Sequence, residues 1–209
     1  VTRQQTKWKD EGRKIYPVSI NLSRASLYYA DVVERYQSII QESGIEPEYI
    51  QLEVTESAME GKKDIRKILE QFRSMGIQIL MDDFGTGYSS LNYIKQLPLN
   101  IIKVDKTFID DIVGDDYAQA FVKLIVDLSK TIGTQIVVEG VEHSNQYELL
   151  RELGADYIQG YYYSKPLAEK EFEEYVEKYG SEGRIAEPRL TEEGGLRSYF
   201  KEGLNYISD

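Results

Sequence analysis

The sequence predicts an α/β fold of about six buried parallel strands with helices between them, and three observations carry that prediction. Six short apolar runs recur along the chain: SINLS, IQLEVTE, IQILMDDFG, IIKVD, QIVVEGVE and YIQGYY. They are nearly continuous rather than alternating, as strands covered on both faces are. Between most of them lie stretches with apolar residues three and four apart, the helical period. Gly12, Gly44, Gly76, Gly133 and Gly154 each follow such a stretch and precede an apolar run. A residue tolerant of the left-handed conformation ends a helix there at low cost.

Taken in order, the chain opens in a charged stretch, VTRQQTKWKDEGRK, read as the end of a helix before the SINLS strand. Val32, Val33, Tyr36, Ile39 and Ile40 mark the next helical face, with Asp31 and Glu34 spaced as a capping box. IQLEVTE follows Gly44. Ile65, Ile68, Leu69 and Phe72 then form a face ahead of IQILMDDFG. After IIKVD, a helix between Asp115 and Gly133 places Ala118, Phe121, Ile125, Leu128 and Ile132 on one side. QIVVEGVE and YIQGYY follow, and the stretch from Ala168 to Tyr179 reads as a closing helix with Phe172 and Val176 on one side. From Gly180 the composition shifts to Glu, Gly, Arg and Pro. Residues 1–179 are therefore taken as the domain and 180–209 as a linker or extension containing LRSYFKEGLNYI. Six strands fall short of the eight of a closed barrel. Because the chain starts inside a helix and without methionine, N-terminal elements are expected to be missing.

The 209 residues and 41% apolar content fit one globular domain with a sizeable core. No run approaches the ~18 apolar residues of a membrane span, so no membrane insertion by this segment is expected. The polar N-terminus does not read as a secretory signal. Having no cysteine, the chain offers neither disulfides nor thiolate ligands, which agrees with a cytoplasmic location. The parent protein can still be membrane-tethered. A net charge of -11, from 36 acidic and 25 basic residues, repels polyanions, so neither DNA nor RNA is expected as a partner. The single histidine, His143, argues against a His-rich zinc site.

The chemistry lies where the apolar runs end. Parallel strands divided by helices bring their C-terminal ends to one face. There the sequence places Asn21, Glu53, Asp82, Asp83, Lys103, Glu139 and Gln159. Asp82 and Asp83 lead into a loop of glycines and hydroxyls, FGTGYSS. An ordinary turn is its bland alternative. As neighbours on a strand, the two acids point to different sides and can address two cations. Glu53 lies in an apolar strand, while Glu56 points elsewhere and can hydrogen-bond a neighbouring loop. Asn21 has a turn or helix cap as its alternative, Glu142 a helix cap, and the Gln159–Tyr161 stretch a packed aromatic cluster. Lys103 between apolar residues needs a counter-charge. Two like charges 4 Å apart cost about 4 kcal/mol at an effective dielectric near 20, so Glu53, Asp82, Asp83 and Glu139 together call for cations. Hard divalent ions, Mg²⁺ or Mn²⁺, suit oxygen ligands. A pair of them can activate a water against a phosphodiester. Lys103 would orient that water or accept its proton. The residues thus reach a metal-dependent phosphate-ester hydrolase without a named substrate.

The same residues resemble the EAL-domain family, the cyclic di-GMP phosphodiesterases of bacterial signalling. The resemblance runs through SINLS, LEVTES, DDFGTGYSSL, LPLNIIKVDKTFI, VVEGVE and ELGADYIQGYYYSKPL, and covers about residues 1 to 178. It implies a (β/α)8 TIM-type barrel, incomplete here, and Mg²⁺- or Mn²⁺-dependent cleavage of cyclic di-GMP to linear pGpG. By motif position, Asn21, Glu53 and Asp82 would bind metal and Asp83 would serve a second ion. Lys103 and Glu139 would position the attacking water. Glu142, Gln159, Tyr161 and Pro166 would border the substrate, and Glu56 would brace the DDFGTGYSS loop, which in this family links metal occupancy to dimerisation. The Glu-Ala-Leu motif itself, with its metal-ligand glutamate, is not in this sequence. Two strand units are therefore expected to be absent, leaving two unpaired sheet edges and an uncovered core. Weak or no turnover by this chain is expected, together with self-association into a homodimer. A non-catalytic cyclic di-GMP receptor or interaction module is the alternative.

Overall fold

The structure, a computed structural model, describes residues 1–59, 65–87, 91–180 and the two residues 197–198. Its strands are β1 (Val18–Asn21), β2 (Ile50–Thr55), β3 (Gln78–Phe84), β4 (Ile101–Val104), β5 (Gln135–Glu139), β6 (Tyr157–Gln159) and the two-residue β7 (Arg197–Ser198). All described pairs are parallel, in the order β1-β2-β3-β4-β5-β6-β7. Strand order never reverses, so crossovers of one hand stack every helix on one face and the sheet curves as part of a TIM-type barrel. The six predicted strands are all present.

The helices among the described residues are α1 (Thr2–Asp10), α2 (Arg24–Leu27), α3 (Val32–Ser43), α4 (Glu56–Met59), α5 (Ile65–Ser74), α6 (Leu91–Ile94), α7 (Asp116–Ile132), α8 (Ser144–Leu153) and α9 (Glu169–Tyr179). Ile65, Leu69 and Phe72 of α5 are buried, as their spacing predicts. On α7 the buried face is Ala118, Val122, Ile125, Val126 and Ser129, rotated from the predicted stripe. Val122 and Val126 widen the apolar arc, so periodicity alone did not place its centre. The predicted capping box at Asp31 does not form. Asp31 precedes α3 with φ -102° and ψ 17° and makes no side-chain cap, because the extended backbone that aims a capping oxygen is absent. Asp115 does cap, its carboxylate accepting from the N–H groups of Tyr117 at 2.8 Å and Ala118 at 3.2 Å. Asp115→Ala is expected to lower stability by about 1 kcal/mol in urea denaturation, with no change at the strand ends.

Two apolar layers sandwich the sheet. The larger lies between strands and helices and includes Leu52, Val54, Ile79, Met81, Ile102, Val104, Ile136, Val138 and Phe72. The inner one comprises Leu80, Ile101, Val137 and Tyr157, and each of these stands two residues before a strand-end polar residue. Beside it the lining turns polar: Ser19 Oγ donates to Gln51 at 3.0 Å, and Gln51 Nε2 to Gln78 at 2.6 Å.

The expected open edges are partly closed. β6 pairs in part with β7, where Tyr157 opposes Arg197 and Ile158 opposes Ser198. This gives a partner to one piece of the C-terminal segment, and the rest of 181–209 lies outside the described residues. The terminal helices also meet. The Trp8 indole N–H donates to Glu173 at 2.7 Å, its ring lies 5.7 Å from Phe172, and Arg13 pairs with Glu177 at 3.0 Å. Among the described residues no helix is long and apolar enough to cross a membrane.

Candidate active site

At the C-terminal strand ends one ammonium sits among three carboxylates. Lys103 Nζ lies 2.7 Å from Asp82 Oδ1, 3.1 Å from Glu53 Oε1 and 2.5 Å from Glu139 Oε1. Lys103 is fully buried, and Glu53 and Asp82 are nearly so. Strand stagger makes this convergence possible. In register Lys103 opposes Val137, and Glu53 opposes Leu80, yet Lys103 reaches Glu139 two residues further along β5. Tilted strands of a barrel bring different register rows to one height.

Burial works to lower the Lys103 pKa, but the carboxylates of Glu53, Glu139 and Asp82 outweigh it and raise it above the ordinary lysine value. In this arrangement Lys103 is a charged donor. Three anions stabilise that ammonium; a role in accepting the proton of a water belongs to the site with cations bound, which would pull the Lys103 pKa the other way.

Asp83 departs from the strand geometry expected of it. It has φ 55°, in the left-handed region, and the β3–β4 register shifts between Met81 and Phe84. This irregularity breaks the alternation that would send Asp83 to the other face. Carboxylate oxygens of Asp82, Asp83 and Glu139 lie within 4.8 Å of one another. The Asp83 carbonyl accepts from Thr86 Oγ1 at 2.8 Å, closing the turn. Glu56, buried at the start of α4, accepts from the backbone N–H groups of Gly87 at 3.1 Å and Gly85 at 3.4 Å. It therefore holds the start of the loop from outside the ring. Tyr88, Ser89 and Ser90 of that loop lie outside the described residues.

The remaining residues spread around the rim. Asn21 ends β1 in register with Glu53 and is exposed. Gln159 opposes Glu139, and its Oε1 is buried with no hydrogen-bond partner among the described residues. Tyr161 is exposed, with Lys165 Nζ 5.5 Å from its ring centre, and Pro166 is exposed. The aromatic packing foreseen at this stretch belongs to Tyr162, which stacks on Tyr147 at 5.0 Å. Glu142 is exposed and does not cap the next helix. His143 precedes α8, and Gln146 accepts from the N–H groups of Glu142 at 2.8 Å and His143 at 3.0 Å. Sequence reasoning missed Gln146. Its signal was a Gln three residues after a helix cap, one half of a capping box.

The donor set fits hard divalent cations. It consists of carboxylate and amide oxygens, three of them clustered, with four carboxylates (Glu53, Asp82, Asp83, Glu139) against one ammonium and a buried amide oxygen to spare.

Comparisons with known proteins agree with this architecture. The EAL domain matches residues 1–166. The bifunctional diguanylate cyclase/cyclic di-GMP phosphodiesterase MucR of Pseudomonas aeruginosa is 40% identical over 166 residues, 79% of this chain and 24% of MucR. The chain thus spans about a quarter of the length of that curated relative. A MucR phosphodiesterase structure in complex with c-di-GMP superposes with a TM-score of 0.76 at 38% identity, covering 82% of this chain and 70% of that one. The manganese/cy-diGMP complex of BlrP1 from Klebsiella pneumoniae gives a TM-score of 0.71 at 27% identity, over 78% of this chain and 42% of its own. With the strand-end acids, the Lys103 ring and the Glu56-braced loop in place, the chain belongs to the EAL-domain family.

Proposed function

We propose that this chain forms most of a cyclic di-GMP phosphodiesterase domain that opens one phosphodiester bond to give linear pGpG. The observation that carries this reading is the buried ring of Glu53, Asp82 and Glu139 around Lys103, with Asp83 turned into the same cluster. Asn21, Glu53, Asp82 and Asp83 would hold two divalent ions, Mg²⁺ or Mn²⁺. Bound there, such ions would neutralise the phosphodiester charge and acidify a water. Lys103, held as an ammonium, donates toward the attacking water, while Glu139 accepts from it and orients it. Gln159 and Glu142 face the substrate from the rim, and Tyr161 and Pro166 offer a surface for a guanine. Glu56 keeps the Asp83 turn in shape. Support comes from the ligands in the MucR and BlrP1 complexes and from the acidic cluster itself.

The test is conversion of cyclic di-GMP to pGpG, followed by chromatography with Mn²⁺ or Mg²⁺ present. Turnover is expected to be slow, because the chain contains no Glu-Ala-Leu glutamate and the loss of supporting ligand contacts costs roughly 10- to 100-fold. It should vanish with EDTA and in Asp82→Asn. Product formation that survives EDTA would refute the metal-dependent reading. Cyclic di-GMP binding with no product under any metal would favour a receptor. A homodimer is expected in light scattering at tens of micromolar protein (~20–50 µM), since β1 ends the described sheet and an edge strand recruits partners.

A further inference from the structure

We propose that Gln146 is a positioning residue whose buried amide ties the loop that follows Glu139 and carries Glu142 to the loop that follows Lys103. The inference rests on the reading that Glu139, whose carboxylate clusters with those of Asp82 and Asp83, stands at a divalent-ion site. Gln146 is 4% exposed although it lies in the first turn of a surface helix. Its Oε1 accepts from the N–H groups of Glu142 and His143. Its Nε2 donates to the Ile109 carbonyl at 2.9 Å, 37 residues away, just past the Lys106–Phe108 turn that follows β4. The first pair of bonds is ordinary helix capping. The third is not, because it joins two crossover loops that leave adjacent strands.

Other contacts show how tightly these loops are set. A Cβ built on Gly140 would collide with the side chain of Lys106 and come within 3.2 Å of its Cα. The Val141 N–H donates to the Gln159 carbonyl at 3.1 Å, and Tyr162 N–H donates to the Val141 carbonyl at 2.9 Å. The segment from Gly140 to His143 is thus pinned to the end of β6 on one side and, through Gln146, to the end of β4 on the other. Lys103 and Glu139 are the final polar residues of β4 and β5, and they touch. An amide joining the loops just beyond them limits how far the two can separate. Buried polar groups that lose their partner carry a full desolvation cost, so the joint holds one geometry.

Two variants of the 209-residue chain separate positioning from capping. Gln146→Leu removes all three bonds. Gln146→Glu keeps the two acceptor bonds, loses the donor to Ile109 and adds a negative charge, which by itself would strengthen cation binding. Amide exchange at Glu142 and His143 and the Mn²⁺ dissociation constant from electron paramagnetic resonance are measured with thermal midpoints. In Gln146→Leu, both amides are expected to exchange about tenfold faster, the equivalent of one net hydrogen bond, and Mn²⁺ affinity to fall about tenfold. In Gln146→Glu, the amides stay protected while Mn²⁺ affinity still falls. Wild-type Mn²⁺ affinity in either variant overturns the proposal and leaves Gln146 a helix cap. No Mn²⁺ binding by the wild-type chain defeats the functional reading itself and the positioning role with it; that failure shows in the wild type before any variant is compared.

Discussion

Lys103→Met is expected to reduce cyclic di-GMP cleavage to background and to destabilise the metal-free chain by about 3–5 kcal/mol, the usual cost of breaking a buried ion pair from one side. Methionine nearly matches lysine in shape, so packing changes little. What is lost is an ammonium held against Glu53, Asp82 and Glu139 at contacts of 2.5 to 3.1 Å. Carboxylates left facing one another repel by several kcal/mol, about 4 at 4 Å and an effective dielectric near 20. Urea denaturation should therefore show a variant that is unstable in EDTA and substantially rescued by Mn²⁺, which replaces the missing positive charge. Equal destabilisation with and without Mn²⁺ would contradict a shared ion site. The wild type should also show an alkaline limit. The folded pKa of Lys103 lies above that of an unfolded lysine. Its stabilisation is thus fully present below pH ~10.4 and is lost as pH rises from there through the higher folded value. Lys103→Met should lack that loss.

Gly160→Ala is expected to be the most damaging single-methyl change at the rim, costing about 3 kcal/mol, the upper end for overpacking. A Cβ there would overlap the backbone nitrogen and carbonyl oxygen of Val141 and lie 2.8 Å from its carbonyl carbon. The three nearest atoms all belong to the Val141 backbone, so no side-chain rotation relieves the overlap. Val141 is itself hydrogen-bonded to Gln159 and Tyr162, so relief would separate the loop after β5 from the end of β6. Gln159 would shift away from Glu139 as a result. Thermal melts should show the loss of stability, and Mn²⁺ titration should show weaker binding. An unchanged melting midpoint would show that the loop gives way freely and is not clamped as described.

Most of the fold was legible because its signals are local. Ile65, Leu69 and Phe72 repeat at helical spacing and are buried. The IIKV run of β4 is apolar apart from one lysine, and all four of its residues are buried. The reading failed where local signals underdetermine geometry. The Asp31–Glu34 spacing matched a capping box, but the backbone at Asp31 turned out not to be extended. Asp83 was read as a regular strand residue, whereas it has φ 55° at a register irregularity. Gln146 offered only a capping signal, and its bond to Ile109 joins residues that no spacing rule connects.

The sequence by itself determined the strand and helix succession, the family, and the donors available at the strand ends, since periodicity and side-chain chemistry are properties of short segments. Tertiary structure alone decided that three of those acids ring Lys103 and stabilise its ammonium, that Asp83 takes a left-handed backbone beside Asp82 and Glu139, and that α1 and α9 touch. The physical reason is the tilt and stagger of the strands. They set residues from different register rows at one height, and a charge state follows from neighbours in space, not neighbours in sequence.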